Sequence, residues 1–201
     1  MLEIEIKLIL NQEEINKLIS SAEHIGEIIH HDIYLDTPDF QLARKCIWFR
    51  NRNGKLELKL PTKKDQRSNN ASSSQYIELT DEQKIKDYLN IAIKQCCLDK
   101  YKKDIFEPIA EFVVTRKEYK ENNFNICIDQ TDFGYNMVEV ELLLPQNANK
   151  DEAENMLWDF VIKKGIKIKQ RKNVSGKLMF YLKKYNKKLY NLLIQEKILI
   201  T

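Results

Sequence analysis

The sequence predicts an α+β fold: a closed sheet that turns a charged face inward and is covered outside by helices. Three observations point there. The run Glu3-Ile4-Glu5-Ile6-Lys7, flanked by Leu2 and Leu8, alternates strictly between apolar and charged residues. On a strand, that alternation puts the two sets on opposite faces. Later runs repeat the pattern with like charges spaced by two, as at Arg50 and Arg52 or Glu139 and Glu141. Between the strands lie stretches with apolar residues at i, i+3, i+4 and i+7, which are helices that need a sheet face to cover. If they cover the apolar face, the charged face points inward. Unpaired ions in a dry interior cost several kcal/mol each, so a charged interior has to be wet and occupied.

The elements follow in order. After the first strand, Asn11 caps a helix carrying Ile15, Leu18, Ile19 and Ala22 on one stripe. A second strand runs from about Gly26 to Leu35, and Asp36-Thr37 before Pro38 reads as a turn. The strands Cys46–Arg52 and Lys55–Leu60 flank Asn53-Gly54, the strongest short-range hairpin signal. Residues 62–75 are polar and rich in Ser and Asn, which predicts a mobile connecting loop. Alternation resumes at Tyr76–Leu79, and Thr80 then caps a helix with Ile85, Tyr88, Leu89, Ala92, Ile93 and Cys96 on one face. Three more strands are expected at Ile109–Tyr119 with Arg116, Phe124–Asp129, and Met137–Leu143, the last two joined by the Thr131–Gly134 turn. Ala153, Met156, Leu157, Phe160 and Val161 mark a helix ended by Gly165. Leu178, Tyr181, Leu182, Tyr185 and Leu189 mark a final helical run from about Ser175, with Lys177 near its start.

The 201 residues suit one domain spanning 1–201. With 33 basic and 30 acidic residues, the balance does not suggest a general nucleic-acid or lipid-surface binder. Cys46, Cys96, Cys97 and Cys127 have no CxxC spacing, so neither a zinc site nor a disulfide framework is indicated. His24, His30 and His31 lack ligand-like spacing and read as surface or internally satisfied residues. No signal-peptide pattern or membrane-spanning apolar run is present, and a soluble cytoplasmic protein is expected.

The charged-face acids are Glu3, Glu5, Glu78, Asp129, Glu139 and Glu141; the bases are Lys7, Arg50, Arg52, Lys59, Arg116 and Lys177. Grouped carboxylates suit hard divalent cations, and Arg with Lys suits phosphate oxygens. Both together describe a site for a polyanion with metal, most simply an oligophosphate. Trp48 lies two residues before Arg50 and shares its face, where an indole either covers the end of the core or stacks on something flat.

These residues resemble a known family. Glu3-x-Glu5-x-Lys7 matches the ExExK signature of the CYTH proteins, or triphosphate tunnel metalloenzymes. Tyr34-x-Asp36-Thr37, Arg50-x-Arg52, Glu57-Leu58-Lys59, Arg116, Asp129 and Glu139-x-Glu141 follow in the family's order. Trp48-Phe49-Arg50-x-Arg52, Glu57-Leu58-Lys59-x-Pro61, Thr131-Asp132-Phe133-Gly134-Tyr135 and Gly176-Lys177-Leu178 look most like the thiamine triphosphatases. The resemblance implies an eight-stranded antiparallel closed β-barrel, a tunnel that hydrolyses a small-molecule triphosphate with Mg²⁺ or Mn²⁺. It implies that Lys7, Trp48, Arg50, Arg52, Lys59, Arg116 and Lys177 bind substrate. Glu3, Glu5, Glu78, Asp129, Glu139 and Glu141 would hold metal, directly or through water, and Glu5, Lys7, Arg52 and Glu141 would carry catalysis. One departure stands out: Cys127 occupies a position where thiamine triphosphatases often carry another acid. Inorganic tripolyphosphatase, class IV adenylate cyclase and a non-catalytic polyphosphate-binding module remain open as alternatives.

Overall fold

The computed structural model describes residues 2–61, 73–92, 105–145, 149–167 and 174–199. Among them are eight strands: β1 (Leu2–Leu8), β2 (Glu23–Asp36), β3 (Trp48–Arg52), β4 (Lys55–Pro61), β5 (Ser73–Leu79), β6 (Glu107–Glu121), β7 (Phe124–Thr131) and β8 (Asn136–Leu144). Five helices accompany them: α1 (Gln12–Leu18), α2 (Glu82–Ala92), α3 (Lys150–Lys163), α4 (Lys177–Tyr185) and α5 (Lys187–Gln195). Hydrogen bonding runs in the cyclic order β1-β5-β4-β3-β2-β6-β7-β8, with β8 back on β1, so the sheet is a closed antiparallel barrel. No described helix is long and apolar enough to cross a membrane.

The chain divides into two compact units. The first comprises Met1–Ile29, Asn70–Tyr76 and Val114–Gly176. Its core joins Ile4, Ile6 and Leu8 of β1, Ile126 of β7 and Val138, Val140 and Leu142 of β8 to Leu18 of α1 and Leu157, Trp158 and Val161 of α3. Asn11 caps α1 through a capping box, its side chain accepting from Glu14 N at 3.0 Å while Glu14 accepts from Asn11 N at 3.0 Å. Burying one apolar face of β1 and β8 under the helices sends Glu5, Lys7, Glu139 and Glu141 to the other face, as the alternation predicts.

The second unit comprises His30–Asn69, Ile77–Val113 and Lys177–Thr201. Ile85 and Leu89 of α2 pack on Phe49 of β3 and Leu58 of β4. Arg50, Arg52 and Glu57 therefore stand on the opposite face. Asn53 (φ 51°) and Gly54 (φ 84°) turn this hairpin with both residues left-handed, which is why Asn-Gly is favoured there. Asp36 is buried and accepts from the backbone N–H groups of Thr37, Leu42 and Ala43 at 2.7, 3.0 and 2.8 Å. It is a turn former, as expected.

Several boundaries differ from the sequence reading. Residues 73–75 belong to β5 and pair with β1, so the polar stretch yields to a neighbouring strand's hydrogen bonds; residues 62–72 lie outside the described residues. β2 starts at Glu23, extended by its pairing in the sheet. Asp81, not Thr80, caps α2 by accepting from Lys84 N at 2.8 Å. Ile93, Cys96 and Cys97 are outside the described residues. The C-terminal run breaks into α4 and α5 at Asn186, whose side chain accepts from Leu189 N at 3.2 Å and donates to Ile109 O at 3.1 Å. His31 pairs with Glu111 at 2.8 Å and His24 packs on Tyr119, so both are satisfied surface residues.

Candidate active site

In the first unit the charged face gathers around Arg116. Strand register sets Glu5 opposite Glu141 and Lys7 opposite Glu139 between β1 and β8, then Cys127 opposite Glu139 between β7 and β8. Arg116 of β6 faces Asp129 of β7 directly. Its Nε and Nη2 donate to the two Asp129 oxygens at 2.7 and 2.8 Å, Nη2 also contacts Glu139, and Nη1 lies 3.8 Å from Glu141. Lys7 contacts Glu5. Burial would lower the Arg116 pKa, but Glu139 and Asp129 outweigh it and hold the guanidinium charged. One ligand atom from each of Glu5, Glu139 and Glu141 falls within 4.8 Å of the others. Three oxygen donors this close are a grouping that a hard divalent ion suits. Cys127 is buried on the same face, and burial pushes its thiol pKa well up, so it brings no charge where a carboxylate would.

In the second unit the centre is a pair of arginines. Arg52 donates from Nε and Nη2 to both oxygens of Asp32, at 2.6 and 2.7 Å, across directly paired positions of β3 and β2. Arg50 donates to Glu57 at 2.6 Å, to Glu78 at 3.2 Å and to the Tyr34 hydroxyl at 3.2 Å. Burial works against the charge on Arg50, yet Tyr34, Asp32, Glu57 and Glu78 raise its pKa further above the ordinary value. Burial likewise opposes ionisation of Asp32, but Arg52 and Arg50 prevail and its pKa is lowered. Glu78 follows the same balance through Lys59, Arg50 and Arg52. Asp36 shows the contrary result, raised because desolvation exceeds its backbone hydrogen bonds.

Among the sequence-predicted residues, Glu5, Lys7, Arg116, Asp129, Glu139 and Glu141 come together in one unit, and Arg50, Arg52, Lys59 and Glu78 in the other. Trp48 pairs with Lys59 in the β3–β4 register and is 6 % exposed. Lys177 is the first residue of α4. The Glu3 backbone pairs with Tyr76 and Leu143. Asp32 was not singled out from the sequence. Its signal was the alternation Asp32-x-Tyr34-x-Asp36, which puts a second acid beside Asp36 on the face that meets the arginine strand.

A model of the CYTH domain matches residues 1–171. Among solved structures, a Pyrococcus horikoshii protein is 20% identical, with 90% of this chain and 98% of that one covered and a TM-score of 0.59. A candidate adenylyl cyclase of Hippeastrum that has a dominant triphosphatase activity is 19% identical, covering 82% and 88%, with a TM-score of 0.53. A candidate adenylate cyclase of Bacillus halodurans is 17% identical, covering 89% and 96%, with a TM-score of 0.51. At these identities the likeness speaks for the fold.

Proposed function

The chain belongs to the CYTH family, and we propose that it is a cytoplasmic, single-domain phosphohydrolase that removes the terminal phosphate of thiamine triphosphate with the help of Mg²⁺ or Mn²⁺. The observation that carries the metal-dependent reading is the carboxylate group of Glu5, Glu139 and Glu141, with ligand atoms within 4.8 Å of one another. Arg116 and Lys7 already offset part of their mutual repulsion, and all-oxygen donors at this spacing match a hard divalent ion. Glu5, Glu139 and Glu141 would hold it, with Glu3 and Asp129 of the same unit contributing directly or through water. When bound, such an ion draws charge from phosphate oxygens and lowers the pKa of an attacking water.

The chain's own side chains do the rest. Lys7, Arg50, Arg52, Lys59, Arg116 and Lys177 bind the phosphate chain and offset the charge that develops on the leaving oxygen. Asp32 holds the Arg52 fork in one plane, leaving Nη1 as the donor not engaged by a described residue. Catalysis is assigned to Glu5, Lys7 and Glu141 in the first unit and to Arg52 in the second. Trp48 stacks on the thiamine rings, which is what separates this substrate from inorganic tripolyphosphate. Its burial, at 6 % exposed, equally suits a packing role, and that keeps tripolyphosphatase as the second reading.

The test is a phosphate-release panel with thiamine triphosphate, tripolyphosphate, ATP and RNA 5′-triphosphate, with cyclic AMP assayed alongside. Release should be fastest from thiamine triphosphate, cease in EDTA and return with Mg²⁺. Full activity in metal-free buffer would remove the metal from the reaction. Faster tripolyphosphate hydrolysis would select the second reading, and cyclic AMP from ATP would select a cyclase.

A further inference from the structure

The Thr131-Asp132-Phe133-Gly134-Tyr135 segment belongs to neither charged cluster, yet it is the turn between β7 and β8, the two strands that bring Asp129, Glu139 and Glu141 to one face. Its geometry is over-determined. Thr131 Oγ1 accepts from Tyr135 N at 2.8 Å and donates to Tyr135 O at 2.7 Å, clamping both main-chain groups of that residue. Gly134 N donates to Thr131 O at 3.1 Å, and Gly134 has φ 83°, a left-handed backbone that a side chain would strain. A turn locked in this way fixes where the Tyr135 ring starts. The ring ends in a hydroxyl that donates to Ser175 O at 2.6 Å, forty positions later in the chain.

Ser175 and Gly176 lead directly into Lys177, the first residue of α4. At Gly176 the chain passes close to Lys7: a Cβ placed there would meet Lys7 Cε at 3.7 Å. The hydroxyl of Tyr135 therefore holds the peptide that carries Lys177 at the point where that peptide runs past Lys7. We propose that Tyr135 is a positioning residue for triphosphate binding, which acts through Lys177 by tying the Ser175-Gly176 peptide to the β7–β8 turn. This rests on the reading of Lys7 and Lys177 as phosphate ligands. It explains why a turn remote in sequence from any phosphate ligand has a clamp, a left-handed glycine and a tyrosine. An ammonium on a long flexible stem loses rotamer freedom when it binds, so fixing its backbone in advance lowers the cost of binding without entering the chemical step.

The experiment uses full-length protein with Tyr135→Phe, which keeps the ring and removes only the hydroxyl, beside Lys177→Ala and the double variant. With Tyr135→Phe, KM for the best triphosphate of the panel should rise roughly 3- to 10-fold, the range of one hydrogen bond. The kcat should stay within about twofold of wild type, and the amides of 174–177 should exchange faster with solvent while Tm is unchanged. In the Lys177→Ala background, Tyr135→Phe should add almost nothing. An unchanged KM, or effects of the two substitutions that multiply, overturns the positioning role. So does a loss of Tm large enough to account for the KM change. A wild-type protein that neither binds tripolyphosphate by calorimetry nor hydrolyses any triphosphate fails earlier: it sinks the phosphate-ligand reading, and this role of Tyr135 with it.

Discussion

Asp129 takes the Arg116 fork at 2.7 and 2.8 Å, and Asp32 takes the Arg52 fork at 2.6 and 2.7 Å, each from a directly paired position on the neighbouring strand. Both aspartates are fully buried. The two clusters thus orient an arginine by the same device, and they differ in the charges around it. Near Arg52, Glu57 and Glu78 are matched by Arg50 and Lys59. Near Arg116, the further carboxylates Glu139 and Glu141 share that guanidinium, Glu5 contacts Lys7, and all three acids bring a ligand atom within 4.8 Å of one another. A balanced cluster with a fixed guanidinium suits an incoming anion that exchanges partners with the acids. An acid-rich cluster suits an incoming cation.

The shared device is broken by Asp32→Ala or Asp129→Ala. Each leaves a part-buried guanidinium without its bidentate partner, and losses of this kind cost up to about 3–5 kcal/mol where burial is complete. Urea unfolding should show similar losses for both variants; a loss in one cluster only would mean that the two forks are not equivalent. The difference between the clusters is tested next. Glu141→Gln should lower turnover by roughly 10²-fold, on the scale of removing one electrostatic group from a reaction centre. It should also shrink the rise in Tm produced by Mg²⁺, while Tm in EDTA stays level or climbs as repulsion is relieved. Arg52→Lys keeps the charge but loses the fork. It should leave the Mg²⁺ response intact and weaken the Tm response to tripolyphosphate. Crossed responses would show that the clusters do not divide cation from anion.

Smaller effects sharpen the balanced cluster. Trp48→Ala should slow thiamine triphosphate hydrolysis roughly 2- to 30-fold, the scale of about 0.5–2 kcal/mol for a cation over an indole. Tripolyphosphate hydrolysis should barely change. Equal losses would make Trp48 a packing residue. The pH dependence is the smallest effect. Asp32 and Glu78 are held below their ordinary values of 3.8 and 4.5, so the unfolded chain takes up protons at these sites before the native chain does. Their stabilisation is complete above those ordinary values and is lost as pH falls through the depressed native ones. Wild-type stability should therefore drop below about pH 4, and Glu78→Gln should drop less steeply. Identical slopes would remove Glu78 from the balance.

Much of this was legible beforehand, because it depends on local periodicity. The eight strands and the charged face follow from a spacing of two residues, and the hairpin at Asn53-Gly54 and the cap at Asn11 from the chemistry of those residues. The misses have tertiary causes. Ser73–Gln75 look like loop residues but accept β1 as a partner. Asn186 divides one apolar periodicity into two helices by capping the second and bonding to β6.

Which residues share a face, and with what charge, follows from chain order alone, since side chains alternate along a strand whatever its neighbours are. Which charges meet depends on packing. That Asp32 opposes Arg52, that Asp129 holds Arg116, and that Tyr135 reaches Ser175 depend on strand register and on contacts between segments far apart in the chain. Register is set by burying the apolar face and by the turns that join the strands; a slip of one residue would send every charge to the opposite face. Local sequence therefore specifies the faces, and long-range packing specifies the pairs.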